Sequence, residues 1–330
     1  MRSALLSGAE DLIRQLGAKP ATIARRAGVP MQALRDPDIP LRGRSAYAFL
    51  EIAADHCGCA TFGLRLGRRA PLAATIGPLW VLVRQAPTLR QMLGLLADNF
   101  DVYTSVASVA IETLRDGLIV RWSSTAGHAD SEVQMAEFAI AVMVQEVRRL
   151  AEPRWEPRSV EFRHAPPADL SDHRALFGSS MGFNRDHNAV FMERTLADRP
   201  LRADDARARA LVSPLLRHEE DVLDSSLPAR VESVVRSVLP YAPCTLAGVA
   251  QALGLRVRTL QHQLDARGDS FKQIKDRVRA DLALKYLQHS QLDIGEIAEI
   301  LGYSEPSALS RSFRRWHGTA PRSVRAAGRA

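Results

Sequence analysis

Apolar residues recur at helical spacing in two neighbouring blocks near the end of the chain, within QLDIGEIAEILGYSEPSALSRSFRRWHGTAPRSVR at 291–325. In the first block Ile294, Ile297, Ala298 and Leu301 share one face, which predicts a short amphipathic helix. Asp293 and Glu296 have the spacing of a capping box that starts such a helix. Gly302 follows the last apolar position, where a positive φ ends one. Ser304-Glu305 then precede Pro306, a residue suited to a first helical turn. Leu309, Phe313 and Trp316 give the second helix its core stripe and leave Ser307, Ser310, Arg311 and Arg314 on another face, with hydroxyls, guanidinium groups and no carboxylate. Such a face suits a major groove, where arginine pairs with the guanine edge and serine donates or accepts. Taken alone, the pattern also describes any amphipathic helix with a solvated basic face.

A second copy changes that reading. LAGVAQALGL at 246–255 and IGEIAEILGY at 294–303 share the pattern apolar-x-x-apolar-Ala-x-x-Leu-Gly-apolar at an offset of 48 residues, and each is followed by a helical stretch with polar residues on its free face. Two helix-turn-helix units in one chain could reach successive major grooves on one side of a duplex, about 34 Å apart. Between them, Ser270-Phe271-Lys272-Gln273 has the form of a capping box for a long helix with Phe271, Ile274, Val278 and Leu282 inward. Before them, Val231, Val234, Val235 and Val238 form one helical stripe ended by Pro240 and Pro243.

Earlier in the chain the periodicity is mixed. Residues 3–16 and 44–56 predict helices, separated by Leu34-Arg35-Asp36-Pro37-Asp38-Ile39-Pro40, whose prolines exclude a regular helix. Residues 89–100 predict another helix. Residues 106–114 and 118–123 are rich in β-branched side chains around Asp116-Gly117, a hairpin signal. Residues 132–150 predict a long helix, apolar all round at 138–144 and therefore buried against a sheet or in a dimer interface. Short strands are expected at 158–163 and 189–192, and a charged helix at about 203–223. The pattern describes an antiparallel sheet covered by helices, an α+β domain.

Composition and charge sharpen the division. The net charge is +7, yet residues 241–330 hold 14 Lys and Arg against 8 Asp and Glu, whereas residues 1–240 hold 30 against 29. A positive field confined to the region of the repeat implies a polyanion, and nucleic acid is the common one. The longest clean apolar run, 138–144, is too short to span a bilayer, and the first residues show no signal peptide, so a cytoplasmic protein with no membrane partner is expected. Cys57, Cys59 and Cys244 read as reduced packing thiols. His128, His164, His173 and His187 lack the spacing of a helical metal pair, and no phosphate loop, nucleophile elbow or placeable carboxylate pair is present; no metal, cofactor or catalytic site is expected. Trp80, Phe100, Tyr103, Trp122 and Phe138 are candidates to line a ligand cavity, though such aromatics also serve as core.

Arg258-Thr259-Leu260-Gln261, Ile297-Ala298 with Leu301-Gly302-Tyr303-Ser304, and Ser310-Arg311-Ser312-Phe313-Arg314-Arg315-Trp316 with Gly318 and Pro321 stand toward the end of the chain. Through them the last ~100 residues resemble the DNA-binding domain of AraC/XylS-type transcription regulators. Through Asp36-Pro37-Asp38-Ile39-Pro40, Phe62-Gly63-Leu64-Arg65-Leu66-Gly67, Phe162-Arg163-His164, Pro166, Pro167, Asn188 and Asp198-Arg199-Pro200-Leu201, the first part resembles the arabinose-binding-type amino-terminal domain of a branch that includes ornithine-utilisation regulators. This resemblance implies two domains: an α+β sensing and dimerisation domain at 1–223, a linker at 224–229, and an all-α DNA-binding domain at 230–330 with helix-turn-helix motifs at 246–266 and 294–317.

Carried over by position, the resemblance implies DNA contacts by Arg258, Gln261 and His262 in the first head and by Ser307, Ser310, Arg311, Arg314 and Arg315 in the second. His262 stands where the family more often has arginine, and a neutral imidazole cannot make arginine's bidentate contact with guanine. The implied partners are double-stranded promoter DNA, a second copy of the chain, a small-molecule effector and RNA polymerase. Two alternatives stay open: a regulator answering to a protein partner without a small molecule, and a DNA-targeted repair enzyme. Three cysteines are too few for the four-thiolate zinc site such enzymes use.

Overall fold

The computed structural model describes residues 1–83, 86–100, 104, 106–124, 132–201, 226–240, 243–253, 255–290 and 292–327. Tyr103, His128 and the helix expected at 203–223 lie outside them. The chain divides into two compact units, Met1–Ala210 and Leu211–Ala330.

The first unit opens with a 3-10 turn at Ser3–Leu6 and α1 at Ala9–Gln15. The single helix expected over 3–16 is broken at Gly8, whose φ of 82° lies in the left-handed region. There follow α2 (Pro20–Ala27), a 3-10 turn (Met31–Leu34), α3 (Gly43–His56), α4 (Phe62–Gly67), α5 (Leu72–Ile76), α6 (Pro78–Val83) and α7 (Leu89–Asp98). After the hairpin β1 (Ala107–Thr113) and β2 (Gly117–Ser124) comes the long α8 (Val133–Leu150), then β3 (Ser159–Glu161), α9 (Ser171–Phe177), β4 (Met181–Gly182), β5 (Asn188–Glu193) and α10 (Arg194–Ala197).

The strands form one sheet in the order β1-β2-β5-β3-β4. It is antiparallel, as expected, except that β4, too short to be read from its sequence, pairs parallel with β3. The hairpin forms, but not through Asp116-Gly117: the turn runs through Arg115 and Asp116, closed by the Leu114 amide donating to Gly117 O at 2.9 Å. Gly117 lies within β2 at negative φ, and a Cβ there would sit 2.1 Å from Met192 O on β5. Glycine is needed for a close backbone approach and not for a left-handed turn.

α8 packs against α3, α4, β2 and β5 inside its own unit, so the apolar stretch expected in a sheet contact or an interface faces the sheet and helices. Its crossing with α4 is close because Gly63 and Gly67 present no side chains: a Cβ at either would lie 1.9 Å from Gln134 O or 2.5 Å from Phe138 O.

The second unit is helical among the described residues: α11 (Leu227–Val238), α12 (Leu246–Ala252), α13 (Val257–Asp265), α14 (Phe271–His289), α15 (Ile294–Ile300), α16 (Pro306–His317) and α17 (Pro321–Ala327). Part of the connection expected at 224–229 is outside the description, and its residues 227–229 open α11. α14, about 28 Å long at 1.5 Å per residue, carries Ile274, Val278, Leu282 and Tyr286 into a core that both helix pairs share. Phe271 and Trp316, expected inward, are only half-buried. At the start of α14 the Ser270 hydroxyl accepts from the Gln273 amide, but the Gln273 side chain bonds that hydroxyl and not the Ser270 amide, so half of the expected box forms.

Candidate nucleic-acid interface and ligand cavity

The two repeats close their turns alike. At the second, the Gly302 amide donates to Glu299 O and the Tyr303 amide to Ala298 O, both 2.9 Å, with Gly302 at φ 70°: the Schellman arrangement. At the first, the Leu255 amide donates to Ala250 O at 2.9 Å. Ala250 and Ala298, and Leu255 and Tyr303, occupy equivalent repeat positions, so the repeated sequence makes repeated geometry. The Asp293–Glu296 capping box is complete and fixes the start of α15.

α13 buries Leu260 and Leu264 and turns Arg258, Gln261 and His262 to solvent. None of these three side chains makes a hydrogen bond or ion pair among the described residues. Val257, in the first turn of the same helix, is 38% exposed, a large apolar side chain left at the surface. On α16, Leu309 and Phe313 are buried while Ser307, Arg311, Arg314 and Arg315 are exposed and Ser310 half-buried. Ser310, Arg311, Arg314 and Arg315 border one open depression.

This face differs from its sequence reading in one respect. Glu305, the residue capping α16, is exposed and accepts the Ser307 hydroxyl at 3.0 Å, so a carboxylate does stand at the edge of the basic surface. The Ser310 hydroxyl donates back to Pro306 O at 2.9 Å, leaving its lone pairs outward. Arg315 lies 3.7 Å from the half-buried Asp276 on α14, a surface pair of small energetic weight. Arg311 and Arg314 have no acidic partner among the described residues.

Helix α14 braces both heads with charges that periodicity alone did not single out. The Lys275 ammonium donates to Cys244 O at 2.7 Å, just before α12. Arg279 donates to Leu301 O at 2.9 Å and Gly302 O at 3.1 Å and lies 4.5 Å from the Tyr303 ring centroid. It thus satisfies carbonyls at the end of α15 and stacks on the turn that aims α16.

In the first unit, Phe100, Trp122 and Phe138 meet in one cavity of about 70 Å³. Walls from α5, α7, β1, β2 and α8 enclose it. Trp80 is buried elsewhere and does not line it. Two further groups escaped the sequence reading. Glu146 is buried on the cavity wall, where burial raises its carboxyl pKa against the opposing pull of Arg149, 3.1 Å away. His173 Nε2 meets Glu137 Oε1 at 2.8 Å in a fully buried pair, with His164 3.6 Å from the same oxygen. Histidines scattered in sequence are therefore adjacent in space, yet no group of three or more side chains among the described residues is placed to hold a metal.

The arabinose-binding amino-terminal domain of AraC transcription regulators matches residues 17–201, and a helix-turn-helix domain matches residues 249–327. The HTH-type transcriptional regulator VirS of Mycobacterium tuberculosis is 31% identical over 330 residues, covering 99% of this chain and 97% of its own. The chain belongs to the AraC family of transcription regulators. Another relative, the ornithine utilization regulator of Pseudomonas aeruginosa, is 26% identical over 323 residues, covering 96% of this chain and 94% of its own. The AraC-type regulator is thus a DNA-binding protein of two parts, an α+β amino-terminal domain and a helical carboxy-terminal one. No helix among its described residues is long and apolar enough to cross a membrane.

Proposed function

We propose that this regulator is a cytoplasmic homodimer that reads promoter DNA with α13 and α16 and is controlled by a small molecule held in the cavity of its first unit. In this reading, residues 1–223 sense and dimerise, residues 230–330 read DNA, and the chain performs no catalysis. Arg258, Gln261 and His262 face one major groove. Ser307, Ser310 and Arg311 face the next, and Arg314 and Arg315 add phosphate contacts beside them. The observation that carries the reading is the pair Arg311 and Arg314: two exposed guanidinium groups with no acidic partner among the described residues, on the helix whose other side is fixed by Leu309 and Phe313. Unneutralised charge on a rigid helix is what phosphate and guanine edges attract.

The family model and one relative bear the names of a sugar and an amino acid, so both classes belong in any test of the effector. RNA polymerase is a further partner in this reading. Selection from randomised duplexes with the full chain tests the DNA side. It should return paired half-sites about one helical turn apart. An Arg311→Ala protein that bound the selected and a scrambled duplex as the parent does would overturn the assignment.

A further inference from the structure

The cavity's chemistry narrows the effector further. We propose that it takes an uncharged, hydrocarbon-rich small molecule, aliphatic or aromatic, with at most one hydrogen-bonding group, and not a sugar or a zwitterionic amino acid. This inference rests on the reading that the first unit binds an effector.

Three observations carry it. Phe100, Trp122 and Phe138 offer aromatic surface, and Leu93, Ile76 and Val109 complete walls that are apolar almost throughout. Apart from the Trp122 indole N–H, the lining side chains that could recognise a polar ligand already have partners within the protein. The Thr75 hydroxyl donates to Pro71 O at 3.0 Å, and Thr104 Oγ1 accepts from the Val106 amide at 3.2 Å. Glu146 accepts from Arg149 at 3.1 Å and from the Leu72 amide at 3.3 Å, so its charge is answered from within the protein. A sugar or an amino acid would bring several donors and acceptors into a wall with no matching set, and each left unpaired opposes binding.

The third observation concerns fit. Four of the chain's seven methionines, Met1, Met92, Met135 and Met143, line this one cavity. Methionine is unbranched and changes shape at little cost. Walls built from it let a space of about 70 Å³ widen around a ligand larger than itself.

Titration calorimetry of the full chain with four compounds of similar size, 1-octanol, indole, L-arabinose and L-ornithine, tests the proposal. Octanol and indole should bind, with a negative heat-capacity change that reports apolar burial, and the other two should not. Ala139→Leu, which adds bulk from α8, should weaken octanol and indole at least tenfold while the protein still melts cooperatively. Ala107→Leu fills from β1 and serves if the first variant fails to fold. Binding of arabinose or ornithine that a filling variant abolishes would overturn the apolar class and leave an effector site standing. No binding by any of the four to a cooperatively melting protein would overturn both.

Discussion

Lys275 and Arg279 stand one turn apart on α14 and each holds a different reading head, Lys275 through Cys244 O and Arg279 through Leu301 O and Gly302 O. The connecting helix is therefore a brace as well as a spacer. Arg279→Ala removes two charge-assisted bonds and the stacking on Tyr303, and should lower stability by about 1–3 kcal/mol. Hydrogen exchange should quicken over α15 and α16 and stay slow over α13, with the reverse pattern for Lys275→Ala. Equal loosening of both heads by either variant would contradict this division.

His262 is the residue where base preference should be easiest to move. It is exposed on α13 between Arg258 and the helix end, and its imidazole makes no hydrogen bond among the described residues. An arginine there gains the planar fork that pairs with guanine O6 and N7. His262→Arg should enrich guanine at one position of the selected half-site and tighten that site by about 1–3 kcal/mol, with the other positions unchanged. An unchanged selected sequence would remove His262 from the base-reading set.

The second unit was legible because its repeat is local: capping, turn and core stripe lie within about twenty residues of each other, and Ala250 and Ala298 accept equivalent bonds. Arg279 was not, since its partners are 22 and 23 residues away and nothing in helical spacing points to them. In the first unit the family-like motifs are latches between distant segments. Pro37 O and Ile39 O accept from the Ala4 and Ser3 amides, Asn188 Oδ1 accepts from the Arg163 amide, and Asp198 pairs with Arg90 at 2.6 Å. Such long-range contacts leave a residue motif but no periodicity. The cavity is harder still, for Phe100, Trp122 and Phe138 look like ordinary core until the walls around them are placed.

Two glycines in helices should respond oppositely to the same change. Gly94 lies inside α7 with open space where a Cβ would go, so Gly94→Ala should stabilise by about 0.5–1 kcal/mol through helix propensity. Gly63 lies on α4 with Gln134 O 1.9 Å from the same point, which the backbone of α8 cannot vacate without moving Phe138 and the cavity wall. Gly63→Ala should cost at least about 2 kcal/mol. Chemical denaturation of both variants checks the pair, and a tolerated Gly63→Ala would show that the α4–α8 spacing is adjustable.

Glu51 gives the first unit a pH dependence with a definite sign. From α3 it accepts the Gln134 amide at 2.9 Å in the first turn of α8. Burial raises its pKa from 4.5 to about 7, and the charges of Glu137 and Glu132 add to this while the Gln134 bond opposes it. A carboxyl whose folded pKa is raised contributes most when protonated, so its share of stability is full below about 4.5 and is lost as pH climbs through about 7. Glu51→Gln keeps an acceptor for the Gln134 amide and cannot ionise. Its melting temperature should exceed the parent's by more at pH about 8 than at pH about 5. The same difference at both pH values would show that Glu51 titrates alike in the folded and unfolded chain.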